Sequence, residues 1–83
     1  MNFRDLEYVL ATARFSSFSR AAEACNVSQP SLSAQIKKLE NELGSPIFFR
    51  DNRQVELTSF GEGFCVHAEQ ILKTRGSIYE LAD

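Results

Sequence analysis

Residues 18–44 run Phe18-Ser19-Arg20-Ala21-Ala22-Glu23-Ala24-Cys25-Asn26-Val27-Ser28-Gln29-Pro30-Ser31-Leu32-Ser33-Ala34-Gln35-Ile36-Lys37-Lys38-Leu39-Glu40-Asn41-Glu42-Leu43-Gly44. Two helices joined by a tight turn are legible here. The first is very short and rich in small side chains, with Ser19 as its cap and Asn26 as its stop, since Asn enters the left-handed backbone region more readily than most residues. Its alanines allow a second helix to approach closely, and Val27 can plug the corner. Ser28 caps the following helix, and Pro30 falls in its first turn, where a missing N–H has no helical partner to lose. Leu32, Ile36, Leu39 and Leu43 then recur as one apolar stripe. Gly44 stops the helix and Ser45-Pro46 prevents continuation.

With that stripe turned inward, Pro30, Ser33, Ala34, Lys37 and Lys38 point outward, flanked by Gln29, Ser31 and Gln35. The outward face is short, polar and free of carboxylates until Glu40. In a helix-turn-helix the second helix enters the major groove with its N-terminal residues near base edges. A duplex favours such a face, because acid would repel phosphate and small side chains permit close approach. Gln can hydrogen-bond adenine through two atoms, and Ser can read several bases. Lys37 and Lys38 are placed to reach phosphates, which fixes register without reading sequence. The helix pair by itself also fits an ordinary amphipathic surface.

Outward from this unit, Ile47-Phe48-Phe49-Arg50 and Val55-Glu56-Leu57-Thr58 are strand-like, with Asp51-Asn52-Arg53-Gln54 between them. They predict a short hairpin, a natural wing for the backbone or minor groove, with Arg50 and Arg53 as contacts or solvated charges. On the N-terminal side, Asn2 caps a helix striped by Leu6, Val9, Leu10 and Ala13 and ended by Ser16-Ser17. On the C-terminal side, Ser59 and Glu62 match a capping box that opens a helix running from about Phe60 to near the end. This last helix is too long for a small domain to cover, and Gly76 inside it costs about 1 kcal/mol relative to alanine.

The 83 residues fit one domain, and 43% apolar content is enough to pack it. The net charge of −2 excludes a general basic coat. Net positive charge is confined to residues 20–53, where Arg20, Lys37, Lys38, Arg50 and Arg53 outnumber the acids, while residues 54–83 are net acidic. Cys25 and Cys65 form no CxxC pair, and with His67 as the lone histidine they offer no metal-ligand spacing. Reduced thiols are expected, a disulfide between the two being the less favoured alternative. Neither a leader nor a membrane-spanning run is legible. No phosphate loop or catalytic triad is present, so an enzyme is the weakest reading. The stronger rival is an interaction module built on the acidic last helix.

The strings Phe18-Ser19-Arg20-Ala21-Ala22-Glu23, Val27-Ser28-Gln29-Pro30-Ser31-Leu32-Ser33 and Ile36-Lys37-Lys38-Leu39-Glu40-Asn41-Glu42-Leu43-Gly44 resemble the N-terminal signature of LysR-type transcriptional regulators. Phe48-Phe49-Arg50 and Val55-Glu56-Leu57-Thr58 resemble the family's wing, so the likeness spans the chain. It implies a mainly α, winged helix-turn-helix over residues 1–58 (three helices plus a short β-hairpin wing), with the helix-turn-helix at about 18–37 and the wing at about 47–58. A long C-terminal linker helix over 59–83 would pair two subunits antiparallel.

Functionally, the resemblance implies a cytoplasmic bacterial regulator that binds double-stranded promoter or operator DNA and is not an enzyme, with no cofactor or metal. Gln29, Pro30, Ser33 and position 34 would approach bases, with Ser28, Ser31 and Lys38 near the backbone and Arg53 in the wing. Gln35, Lys37 and Arg50 join the backbone set from their placement. A homodimer would form through Phe60, Phe64, Ala68, Ile71, Leu72 and Ile78, a tetramer being a further option for a full-length protein. A small-molecule or redox effector would act only through a ligand-sensing domain that normally follows. Many members carry arginine where this chain has Ala34, which leaves that contact and the half-site preference open. Met1-Asn2-Phe3-Arg4-Asp5-Leu6-Glu7-Tyr8 and residues 33–40 resemble the family's peroxide-sensing branch. That branch keeps its sensing cysteines in the further domain, so Cys25 and Cys65 do not inherit the role.

Overall fold

The computed structural model describes residues 1–51 and 54–82; Arg53, expected in the wing, lies outside the described residues. Four helices follow in order: α1 (Phe3–Phe15), α2 (Phe18–Ala24), α3 (Gln29–Leu43) and α4 (Ser59–Ala82). Local chemistry sets most of their ends. Asn2 and Asp5 form a reciprocal capping box, with Asp5 N–H donating to Asn2 Oδ1 at 2.8 Å and Asn2 N–H to Asp5 Oδ2 at 3.1 Å. Ser28 Oγ accepts Ser31 N–H at 3.2 Å, Pro30 sits in the first turn of α3, and Gly44 closes that helix at φ 71°. Asn26 takes φ 58° and stops α2 as its chemistry suggested.

Two caps differ from expectation. Ser17, not Ser19, caps α2 by accepting Arg20 N–H at 3.1 Å, because Ser16 has already turned the chain left-handed at φ 49°. Thr58, not Ser59, caps α4, its Oγ1 accepting Gly61 N–H at 2.9 Å. Ser17 has the extended backbone a cap requires, at φ −161° and ψ 125°.

The core gathers Val9 of α1, Ala21 and Ala22 of α2, and Leu32, Ile36 and Leu39 of α3, closed below by Ile47 and Phe48. Alanine at 21 and 22 lets α2 lie against both neighbours, as its small-residue composition required. α1 is the hub, packing against each of the other three helices. Phe18 meets Phe48 edge-on at 5.6 Å between ring centres, which ties the start of α2 to the wing segment.

The expected β-hairpin is not formed as strands among the described residues. One antiparallel bridge, Phe48 with Leu57, is all that appears, with Phe49 N–H donating to the Glu56 carbonyl at 3.0 Å and Thr58 N–H to the Ile47 carbonyl at 2.9 Å. The reason lies in the donors and in the burial. Pro46 has no N–H, and the amides of Ile47 and Phe48 are taken by the Glu40 carboxylate. Ile47 and Phe48 are also buried side by side, which breaks the in–out alternation of a strand.

α4 packs on the body through a stripe of small buried residues, Gly61 against Ile47 and Leu57 of the wing segment, then Cys65 and Ala68, with α1 as its helical neighbour. At 24 residues it is about 36 Å long, and its second half carries no buried residue, giving an outline of 45 × 25 × 20 Å.

Candidate nucleic-acid interface

α3 projects its N-terminal half away from the core. Gln29, Pro30, Ser31, Ala34, Lys37 and Lys38 are exposed, while Leu32, Ile36 and Leu39 are buried. Neither lysine is in an ion pair among the described residues, so both charges stand open to solvent. Ser33 is half-buried. Gln35 is half-buried too and turns toward α1, its Nε2 standing 3.5 Å from Asp5 Oδ1. It is directed at the scaffold more than at the outer face. Ser28 and Ser31 are bound to each other, Ser28 Oγ donating to Ser31 Oγ at 2.9 Å. The capping pair therefore presents ordered hydroxyls at the very tip of α3.

Beside this tip lies a polar groove of about 760 Å³ lined by Ser17, Ser19 and Gln29, with Gln54 and Val55 from the wing segment. The sequence reading singled out neither Ser19 nor Gln54 for this role, although a run of polar side chains around residue 54 was a usable signal. Arg50 behaves differently from the free cation expected. Its guanidinium pairs with the buried Glu40 carboxylate and lies 5.4 Å from the Phe18 ring centre. Glu40 itself, assigned to the outer face from the helix pattern, is 3% exposed and faces the core.

The proposed subunit-contact residues divide between two faces of α4. Ala68 is buried against the chain's own body and Leu72 is half-buried beside it. Phe60, Ile71 and Ile78 are exposed on a face that the chain does not cover, while Phe64 is half-buried at its edge and packs against the core. Two hollows run along that face, of about 370 Å³ around Leu43, Phe60, Phe64 and Ile71, and of about 570 Å³ around Phe3, Ile71, Ile78 and Tyr79. Phe3 and Tyr79 were not anticipated. Arg75 lies over both of their rings, at 5.0 and 5.6 Å. His67 is exposed and borders both hollows.

Both thiols are free. Burial pushes the Cys25 thiol up from its ordinary value, with Glu7 adding to the effect and Arg4 opposing it. Burial likewise raises Cys65, with Glu69 adding. A reactive thiolate needs the opposite shift. Among the described residues no three His, Cys, Asp or Glu side chains gather as metal ligands, and no helix is long and apolar enough to cross a membrane.

A short helix crossing tightly onto a longer one, with an exposed acid-free tip and a wing-like segment beside it, defines a helix-turn-helix domain of the winged class with a reduced hairpin. Residues 3–62 match the family described as bacterial regulatory helix-turn-helix protein, lysR family. The chain belongs to that family. It is 45% identical over 82 residues to a hydrogen peroxide-inducible genes activator of Haemophilus influenzae, covering 99% of this chain and 27% of that protein. It is 49% identical over 82 residues to the HTH-type transcriptional regulator BudR of Klebsiella aerogenes, covering 99% and 57%. The chain thus spans about a quarter of the first relative's length and a little over half of the second's. In structure it is similar to a full-length OxyR variant from Pseudomonas aeruginosa (TM-score 0.94, 46% identity, 99% of this chain and 28% of that one). It is equally similar to the BenM DNA-binding domain in complex with benA site 1 DNA (TM-score 0.95, 34% identity, 99% and 92%).

Proposed function

We propose that this chain reads double-stranded DNA in a sequence-specific way for a bacterial transcription regulator, with α3 lying in the major groove. The observation that carries this is the outer face of α3, where Gln29, Pro30, Ser31, Ala34, Lys37 and Lys38 are exposed together with no carboxylate among them. The likeness to a domain solved on benA DNA supports the same reading. Gln29 and Ser33, with Pro30 and Ala34 allowing close approach, sit where base edges would pass. Ser28, Ser31, Lys37 and Lys38 anchor phosphates around them. Ala34 offers a methyl group and no hydrogen bond, which suits an apolar contact such as a thymine methyl.

Residues 1–58 serve as the reading head and 59–83 as the linker. A second copy covers the open face of α4 through Phe60, Phe64, Ile71 and Ile78, so that two recognition helices meet one duplex. Any effector acts outside this head. The chain is a binding protein and not an enzyme, and it works in the cytoplasm, where the promoter is.

The test is binding to the DNA upstream of its own gene against a random duplex, titrated with salt. Tighter binding upstream, falling steeply as salt rises, is the expected result. Equal, weak binding to both duplexes would leave only the α4 interaction module.

A further inference from the structure

Glu40 sits on α3 one helical turn after Ile36, on the core side, and is 3% exposed. Burying a carboxylate is unfavourable unless donors surround it. Here Oε2 accepts the backbone N–H of Ile47 at 2.6 Å and of Phe48 at 3.2 Å, and Oε1 takes Nη2 of Arg50. Among the described residues no buried side-chain N or O lacks a hydrogen-bond partner.

The segment held in this way cannot direct itself. Its two arms share a single antiparallel bridge, and a ribbon that short does not hold its own orientation in water. Two consecutive amides fastened to one side chain of α3 give it that orientation. Arg50 closes the arrangement from outside, spanning from Glu40 to the face of Phe18, whose edge rests on Phe48.

We propose that Glu40 is the positioning residue of the wing: it fixes the wing's first arm to the recognition helix as one rigid reading head, and Arg50 serves that carboxylate instead of the duplex. The proposal rests on the DNA-reading function above. It separates two arginines that sequence places together, because Arg50 acts through Glu40. A cation that touches no phosphate releases no counterion when DNA binds, so its loss leaves the salt dependence intact.

The experiment uses the whole chain with a duplex that it selects from a randomised pool. Wild type, Arg50→Gln, Glu40→Gln and the double variant are titrated across salt, and amide exchange at Ile47 and Phe48 is followed by NMR in the free proteins. Arg50→Gln is expected to weaken binding on the order of tenfold while the double variant is no weaker than Glu40→Gln alone by more than about twofold. Its salt slope stays at the wild-type value, and exchange at Ile47 and Phe48 quickens although Arg50 touches neither amide. A slope lower by about 0.9 per subunit would mean that Arg50 contacts phosphate, and would overturn the proposal. Unchanged exchange at the two amides would overturn it as well. If Glu40→Gln does not fold, the slope and exchange of Arg50→Gln decide alone. If wild type selects no duplex, the DNA-reading function fails, and the exchange measurement judges the Glu40 anchor by itself.

Discussion

Gly61 is the point at which α4 comes down on the wing root, and Gly61→Ala is expected to destabilise the domain sharply. A methyl there would fall far inside contact distance of the Ile47 carbonyl oxygen, and about 3.0 Å from both Ile47 C and Leu57 Cδ2. The first two of these are backbone atoms, so no side-chain rotation relieves the clash. The Ile47 carbonyl is also occupied, accepting Thr58 N–H at 2.9 Å, while the Thr58 hydroxyl, 3.2 Å from it, donates its one hydrogen over the shorter 2.6 Å to the Pro46 carbonyl. Pushing it away weakens that one hydrogen bond, at about 1 kcal/mol. Overpacking adds about 1–3 kcal/mol. Against this stands the gain of about 1 kcal/mol for alanine over glycine inside a helix. The net loss is about 1–3 kcal/mol, which for a domain of this size lowers Tm by about 4–24 °C. Gly76→Ala is the internal control, since a Cβ there meets nothing within 4 Å, and it should raise stability by about 0.5–1 kcal/mol. Thermal and urea unfolding of both variants, followed by circular dichroism, gives the comparison. If Gly61→Ala matches Gly76→Ala in stability, the close approach of α4 to Ile47 is wrong.

Four further outcomes follow from the same geometry. Gln29→Ala should weaken binding to a selected duplex by about 1–3 kcal/mol while leaving random-duplex binding nearly unchanged, and equal losses on both would remove Gln29 from the base-reading set. Lys38→Ala should weaken binding to every sequence and lower the salt slope by about 0.9 per subunit; an unchanged slope would mean that it touches no phosphate. Ile71→Glu places a charge between the two hollows of α4 and should yield monomers in sedimentation with a loss of cooperative binding, whereas an unchanged mass would move the subunit contact elsewhere. For the thiols, burial makes the folded state hold the Cys25 and Cys65 protons more tightly than the unfolded chain does. Their contribution to stability is therefore complete below the ordinary thiol value of 9.0 and declines only as pH rises above it. Consistent with that, peroxide at neutral pH should leave DNA binding by this domain unaltered, as read by gel shift; a loss of binding would point to a reactive thiol.

Much of the fold was legible because local chemistry settled it. Asn2, Ser28, Pro30, Asn26 and Gly44 each act within a turn of their own position, so spacing alone located them. The buried stripe Leu32, Ile36 and Leu39 was equally plain, although Leu43 at its end is 36% exposed, because it borders the open hollow beside α4. What stayed hidden depended on partners distant in sequence. Nothing in residues 47–58 announces that Glu40 will take the amides a strand would use, and so the hairpin expectation failed. The signal was present: Glu40 follows Ile36 by four positions and adjoins Leu39, placing an acid on the apolar side. The same limit applied to α4. Its apolar residues were read as one surface, but Cys65 and Ala68 are buried against the body while Phe60, Ile71 and Ile78 face outward. Separating the two requires knowing where α1 lies.

The central claim is that the tip of α3 reads bases from the major groove, and chemical interference tests it most directly. Methylation of guanine N7, on the major-groove edge, should abolish binding at discrete positions within the selected duplex, and 7-deazaadenine at the adenine that Gln29 reads should weaken binding by wild type but not by Gln29→Ala. Methylation of adenine N3, on the minor-groove edge, should weaken binding only near the wing. Interference confined to the minor groove, or none at any base, would contradict the account.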